Sequence, residues 1–192
     1  MPPLSPGRLL RRVRAGDSRS IAHHPALAVP PSEMTLSSPA FANGGTIPVV
    51  HAGRGVGQNR SPALEWSGLP EGTQQLLLVI EDTDVPLPRP ILHTIALLDP
   101  AIGTPPQPFL PENELAAEVT GVRLVPVIPG IAGYQGPRPL SGHGEHRYGF
   151  HLYALSTAIP ATAKLRGMAD VLRQTSGHLL AAGHLAGVME RY

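Results

Sequence analysis

The run Leu76-Leu77-Leu78-Val79-Ile80 contains no polar residue and passes straight into Glu81-Asp82-Thr83-Asp84-Val85-Pro86. A strand with one wet face alternates apolar and polar residues, so an unbroken run reads as a strand covered on both faces. Ile91-Leu92-His93-Thr94-Ile95-Ala96-Leu97-Leu98 is a second such run, stopped by Asp99-Pro100. The chain of 192 residues is long enough for one domain with a full core. With 21 glycines, 23 prolines and only 15% charged residues, its composition favours a loop-rich β protein over a helical bundle.

Other strands are shorter. Met34-Thr35-Leu36 and Ile47-Pro48-Val49-Val50 read as edge strands, the second weakened by its proline. Ala63-Leu64-Glu65-Trp66 alternates, Val122 to Val127 reads as an edge strand, and Tyr148 to Leu155 is the last clear strand. Met168, Val171, Leu172, Leu179, Ala182, Leu185 and Met189 then fall mostly three or four apart, the spacing of an amphipathic helix, interrupted by Gly177 and Gly183. Strands first and helices late describe a mainly β, sandwich-like body with short C-terminal helices at one end.

Residues 1–33 stand apart. They carry Arg8, Arg11, Arg12, Arg14 and Arg19 against Asp17 and Glu33, with many prolines and little hydrophobic period, and read as a disordered basic tail, the alternative being an arm that touches acidic partners. Residues 34–192 are the expected domain. No continuous apolar stretch follows these arginines, so no secretory signal is read, and cytoplasmic residence is the expectation. Nothing approaches the roughly 20 apolar residues that span a bilayer. The net charge of +1 argues against general attraction to nucleic acid. The absence of cysteine removes disulfides, thiol catalysis and thiolate-bound metals.

Candidate site residues gather at strand ends. Asp82 and Asp84 are two apart at the close of the apolar run and share a face if the chain stays extended; a turn at Thr83 would part them and leave one to cap a loop. His93 sits in an apolar strand, where an imidazole needs a hydrogen-bond partner, and an aspartate across the connection could supply it. Gly136-Pro137-Arg138-Pro139-Leu140-Ser141-Gly142-His143-Gly144-Glu145-His146-Arg147-Tyr148 is a stiff loop delivering polar groups onto a strand. Parity puts His146 and Tyr148 on the pocket side, and Arg147, His151 and Tyr153 on the other. His143, between two glycines, reads as a mobile rim residue. His178 and His184 read as surface or packing residues of the C-terminal helix.

These segments, in this order, resemble the phosphatidylethanolamine-binding protein family, also called the Raf kinase inhibitor protein family, and most closely its bacterial, YbhB/YbcL-type branch. The likeness rests on Ser61-Pro62-Ala63-Leu64-Glu65-Trp66-Ser67-Gly68-Leu69-Pro70, Asp82-x-Asp84-x-Pro86, His93 in its strand, and Gly136-Pro137 through His146-Arg147-Tyr148. It implies a β-sandwich with a large central antiparallel sheet, and a pocket for phosphate, acetate or a lipid's phosphoryl head group. Carried over by motif, Asp82, Asp84, His93, Gly136, Pro137, Pro139, His146 and Tyr148 form that pocket. Thr83, Leu92, Thr94, Leu140 and Met189 depart from the family's usual residues. The expected function is non-enzymatic binding of a small anion or phosphoryl head group, with two imidazoles and loop amides as donors and no cofactor or metal. The alternatives are a protein partner or inhibitor of a kinase or protease, gripped by loops 51–60 and 84–90, and a weak hydrolase.

Overall fold

The computed structural model of the chain describes residues 5–30, 34–102 and 109–192. Nine strands appear among them: β1 (Thr35–Ser37), β2 (Gly45–Thr46), β3 (Leu64–Ser67), β4 (Gln75–Asp82), β5 (Ile91–Leu98), β6 (Phe109–Leu110), β7 (Val122–Val125), β8 (His146–Leu155) and β9 (Leu179–Met189). Two helices, α1 (Pro6–Leu10) and α2 (Met168–Thr175), and four short 3-10 turns complete the order.

A six-stranded sheet runs β2-β9-β8-β4-β5-β7, and a three-stranded sheet runs β1-β3-β6. All pairings are antiparallel except β2 with β9. β4 lies inside the large sheet, and its unbroken apolar run has the predicted cause. Leu76, Leu78 and Ile80 face Leu36, Leu64, Trp66 and Leu110 of the small sheet, while Leu77 and Val79 face Leu27, Ile159 and Val171 on the other side. Burying each such side chain contributes roughly 1.5–3 kcal/mol.

Three elements differ from expectation. Residues 179–189 form β9 rather than a helix. Leu-Leu-Ala-Ala-Gly-His-Leu-Ala-Gly-Val-Met is apolar nearly throughout, so helical and alternating spacings both fit it, and pairing along β8 decides. The buried positions alternate from Leu179 to Met189. The helical reading holds only for α2. Val49–His51 is a 3-10 turn rather than a strand, because Pro48 supplies no N–H to a ladder.

The third difference is the N-terminal segment. Residues 5–30, expected as a disordered tail, are packed along the domain; residues 1–4 and 31–33, with Glu33, lie outside the described residues. Ala15 and Gly16 donate backbone hydrogen bonds to Val85 and Thr83 carbonyls at 2.9 Å. Arg14 pairs with Asp84 at 2.9 Å, and Leu27 is buried beneath α2. These anchors are mostly polar and backbone contacts, which leave no hydrophobic period to read. Among the described residues, no helix is long and apolar enough to cross a membrane.

Leu78 is 0% exposed at the centre of β4, and Leu9 is 68% exposed on α1. Leu78→Ala is expected to cost about 2–5 kcal/mol in urea unfolding through the cavity it leaves, while Leu9→Ala stays within about 0.5 kcal/mol of the parent.

Candidate functional site

β4 ends where β8 begins, in the register Asp82 opposite Tyr148. This brings the carboxylate of Asp82 and the imidazole of His146 together. Asp82 Oδ2 lies 2.7 Å from His146 Nδ1, with the two residues 2% and 1% exposed. Asp82 Oδ1 accepts the Asp84 N–H at 2.8 Å. That turn at Thr83 swings Asp84 away: its Oδ2 accepts the Arg147 N–H at 2.8 Å and its Oδ1 pairs with Arg14. The expectation that both aspartates face one cavity therefore fails for Asp84, which ties the loop to β8 and to the N-terminal segment.

His93 reaches the site through an irregularity that no sequence pattern announces. The β4–β5 register shifts between Ile80 and Glu81, whose partners are Thr94 and Leu92, so His93 is the extra residue of a bulge. Bulges re-aim side chains, and here the imidazole turns into the cavity. Its partner is not an aspartate but the Gln135 carbonyl, to which Nδ1–H donates at 2.6 Å. Nε2 then carries the lone pair. Burial holds the His93 pKa below its ordinary value of 6.5; the Gln135 bond and the Asp82 charge oppose this, and charge on His146 and Arg138 adds to it.

His146 cannot donate into the cavity. Its Nδ1 serves Asp82, and its Nε2 lies 2.7 Å from His143 Nδ1. His143 is not a mobile rim residue either: it is fully buried. Of the expected pair of donating imidazoles, His146 is fully engaged, and His93 could donate into the cavity only after Nε2 takes up a proton.

The loop Gly136–Pro139 forms one wall. Gly136 donates to Asn59 Oδ1 at 2.8 Å, and Asn59, in a left-handed backbone conformation (φ +57°), returns a bond to the Tyr134 carbonyl. A Cβ on Gly136 would stand 2.2 Å from the His51 carbonyl oxygen, so only glycine allows this approach. The amide is consumed by the scaffold and is no donor to a ligand. Gly136 and Pro139 line the cavity; Pro137 stands behind them, its carbonyl accepting from Gly53 at 2.9 Å. Tyr148 also lies behind the wall, its ring edge-on to His93 with centroids 5.3 Å apart. Burial first, then the neighbouring Asp82 carboxylate, pushes the Tyr148 hydroxyl pKa well up.

Asp82, His93, Gly136, Pro139 and His146 thus share one cavity of about 730 Å³. Its further lining was missed at the sequence level. Arg54, Arg138 and Arg191 come from three distant stretches and stand in no ion pair among the described residues. Among the described residues, the Arg138 side chain bonds only the Arg54 carbonyl, at 3.4 Å. The opposite wall is apolar, with Val85, Leu92 and Val127, and exposed Leu87, Ile91, Ile128 and Ile131 stand at its mouth. Among the described residues, no three His, Asp or Glu side chains converge as a cation site.

His184, expected on a helix surface, lies in β9 opposite His151 and contacts it through Nδ1 at 2.9 Å. His151 in turn donates to the buried Glu81 carboxylate at 3.0 Å, on the face of the sheet away from the cavity.

The sequence profile described as phosphatidylethanolamine-binding protein matches residues 37–190. The chain belongs to the phosphatidylethanolamine-binding protein family. It is 32% identical over 158 residues to a UPF0098 protein of Aquifex aeolicus, covering 82% of this chain and 89% of that one. The crystal structure of E. coli YbcL, titled a new member of the mammalian PEBP family, superposes with a TM-score of 0.70 at 27% identity, covering 84% of this chain and 100% of YbcL. The PEBP homolog CT736 of Chlamydia trachomatis gives a TM-score of 0.70 at 28% identity, covering 84% of this chain and 99% of CT736. The bacterial, YbhB/YbcL-type branch fits these neighbours.

In an NMR titration, His93 is expected to protonate below the ordinary 6.5. A histidine held lower in the folded state takes up its proton more readily when unfolded. His93 therefore costs no stability above the unfolded value, and stability falls as pH drops through that value toward the folded one. His93→Gln should flatten this part of the acid limb; an unchanged limb would show that His93 is not the group responsible.

Proposed function

We propose that the chain is a non-enzymatic binding protein for a small oxyanion such as phosphate, taken free or as the phosphoryl head group of a phospholipid. One observation carries the reading: among the described residues, Asp82 is the only carboxylate lining the cavity and is matched by His146, while Arg54, Arg138 and Arg191 line the same space without carboxylate partners. The field inside favours an anion, and guanidinium groups meet phosphate oxygens in pairs.

His93 adds a proton requirement. With Nδ1–H given to Gln135, its neutral ring offers an acceptor at Nε2. An oxyanion beside it must bring its own hydrogen, as a P–OH does, or the ring must take one up. The apolar wall extends well beyond what phosphate needs and supports a ligand with an aliphatic part. Among the described residues, no serine or threonine lines the cavity as a nucleophile, which supports binding over hydrolysis.

A second reading uses the same mouth. Loops 51–60 and 84–90 contribute Gly53, Arg54, Asn59, Val85, Pro86 and Leu87 to it. A kinase or protease gripping these loops would cover the cavity, so its binding and that of the anion would compete.

Calorimetric titration with phosphate at neutral pH is expected to show one saturable site. Arg138→Ala should weaken it about tenfold or more, the worth of a charge-assisted hydrogen bond. Sulfate keeps its charge across this range and isolates the protein's own proton. Its affinity should rise as pH falls below about 6.5; equal affinity in mild acid and mild alkali would contradict the role given to His93.

A further inference from the structure

His143 is a buried titratable group to which anion binding assigns no part. It precedes β8 in Gly142-His143-Gly144 and is 0% exposed. Its ring meets that of His146 with centroids 4.8 Å apart. Its Nε2 lies 2.8 Å from the Leu10 carbonyl oxygen and 3.1 Å from that of Val13. Carbonyls only accept, so His143 Nε2 bears a hydrogen. Its Nδ1 lies 2.7 Å from His146 Nε2, a contact that two bare lone pairs would repel, so a second hydrogen stands between the rings. A third stands between His146 Nδ1 and Asp82 Oδ2 at 2.7 Å. Imidazole is far more basic than a carboxylate, which puts that hydrogen on nitrogen. Three hydrogens on two rings make one imidazolium, and with ionised Asp82 the trio is neutral.

The cations around His143 decide which ring is charged. Arg11 and Arg14 pass over the adjoining Gly144, the nearest Arg11 and Arg14 nitrogens each 3.5 Å from where a Cβ would sit, whereas His146 faces the Asp82 carboxylate directly. The charge belongs on His146. We propose that His143 is a positioning residue for the anion cavity: by accepting the Nε2 hydrogen of His146 it keeps that ring as the imidazolium that cancels Asp82, and the Leu10 and Val13 carbonyls fix it in the accepting tautomer. The proposal rests on the reading of the cavity as an anion site. It makes residues 5–16 a working part of that site, although Asp82, His93 and the arginines of the cavity lie elsewhere in the chain. Gly7 is the point of contact: a Cβ there would stand 2.1 Å from the Ser141 carbonyl oxygen and 2.7 Å from the His143 amide nitrogen, so a side chain would push the segment off the loop carrying His143.

The test compares the full-length protein with His143→Phe, His143→Gln and Gly7→Val at neutral pH, using 15N-labelled histidine for ring protonation and phosphate calorimetry for affinity. In the parent both ring nitrogens of His146 should be protonated. His143→Phe should leave one and weaken phosphate binding at least roughly tenfold. His143→Gln, whose amide accepts on one side and donates on the other, should keep both hydrogens and recover most of the affinity. Gly7→Val should follow His143→Phe. A singly protonated His146 in the parent, or a doubly protonated one in both folded His143→Phe and Gly7→Val, overturns the proposal. If His143→Phe does not fold, the contrast between the other two variants decides. A parent that binds no phosphate overturns the anion reading, and with it the cavity role of His143, while ring protonation separately decides whether the relay exists.

Discussion

The buried contact between Asp82 and His146 is the constraint on which the site depends. A carboxylate taken out of water costs several kcal/mol, and attraction to one partner repays this only when its other lone pairs are also satisfied. Here Oδ1 takes the Asp84 amide, Oδ2 takes His146, and the far nitrogen of His146 meets His143. The pair lies where β4 hands over to the Asp82–Pro86 loop and β8 emerges from the Gly136–Glu145 loop. Both loops, and the bulge that turns His93, are therefore held around one cavity.

The same strand end repeats the device on its other face. Glu81 and Asp82 are adjacent and point to opposite sides of the sheet, and each is met by a histidine of β8, His151 for the first and His146 for the second. The N-terminal segment bonds Glu81 directly, through Ser20 and the Ile21 amide, and stands behind Asp82 through its neighbours: Arg14 takes Asp84 and the Leu10 and Val13 carbonyls take His143. Hydrogen bonds to the buried Glu81 and the Arg14–Asp84 pair explain why a basic, proline-rich stretch docks on this domain although it buries few large side chains. Charge and backbone hydrogen bonds hold it, and burial of Leu27 beneath α2 adds to them.

Where burial forces a periodicity, the sequence is readable. The unbroken run of β4 announces a two-faced strand, and parity separates His146 and Tyr148 from Arg147. The motif order leads to the family and to five residues of the cavity, Asp82, His93, Gly136, Pro139 and His146. Segments compatible with two periods are not readable, and residues 179–189 became a strand because β8 offered a ladder. Nor are features that depend on a distant partner. The bulge at His93, the turning away of Asp84 and the meeting of Arg54, Arg138 and Arg191 all follow from tertiary register. His143 shows the limit most clearly: flanking glycines suggest freedom, yet they allow a tight turn that a segment 130 residues earlier locks in place.

Diffraction from crystals soaked in tungstate, a heavy tetrahedral oxyanion, tests the central claim most directly. An anomalous peak inside the cavity is expected, with oxygens within hydrogen-bond reach of the Arg138 guanidinium and, once the His93 ring has taken up a proton, of its Nε2. Tungstate bound only on the outer surface, with the space between Asp82, His93 and Arg138 left to water, would contradict it.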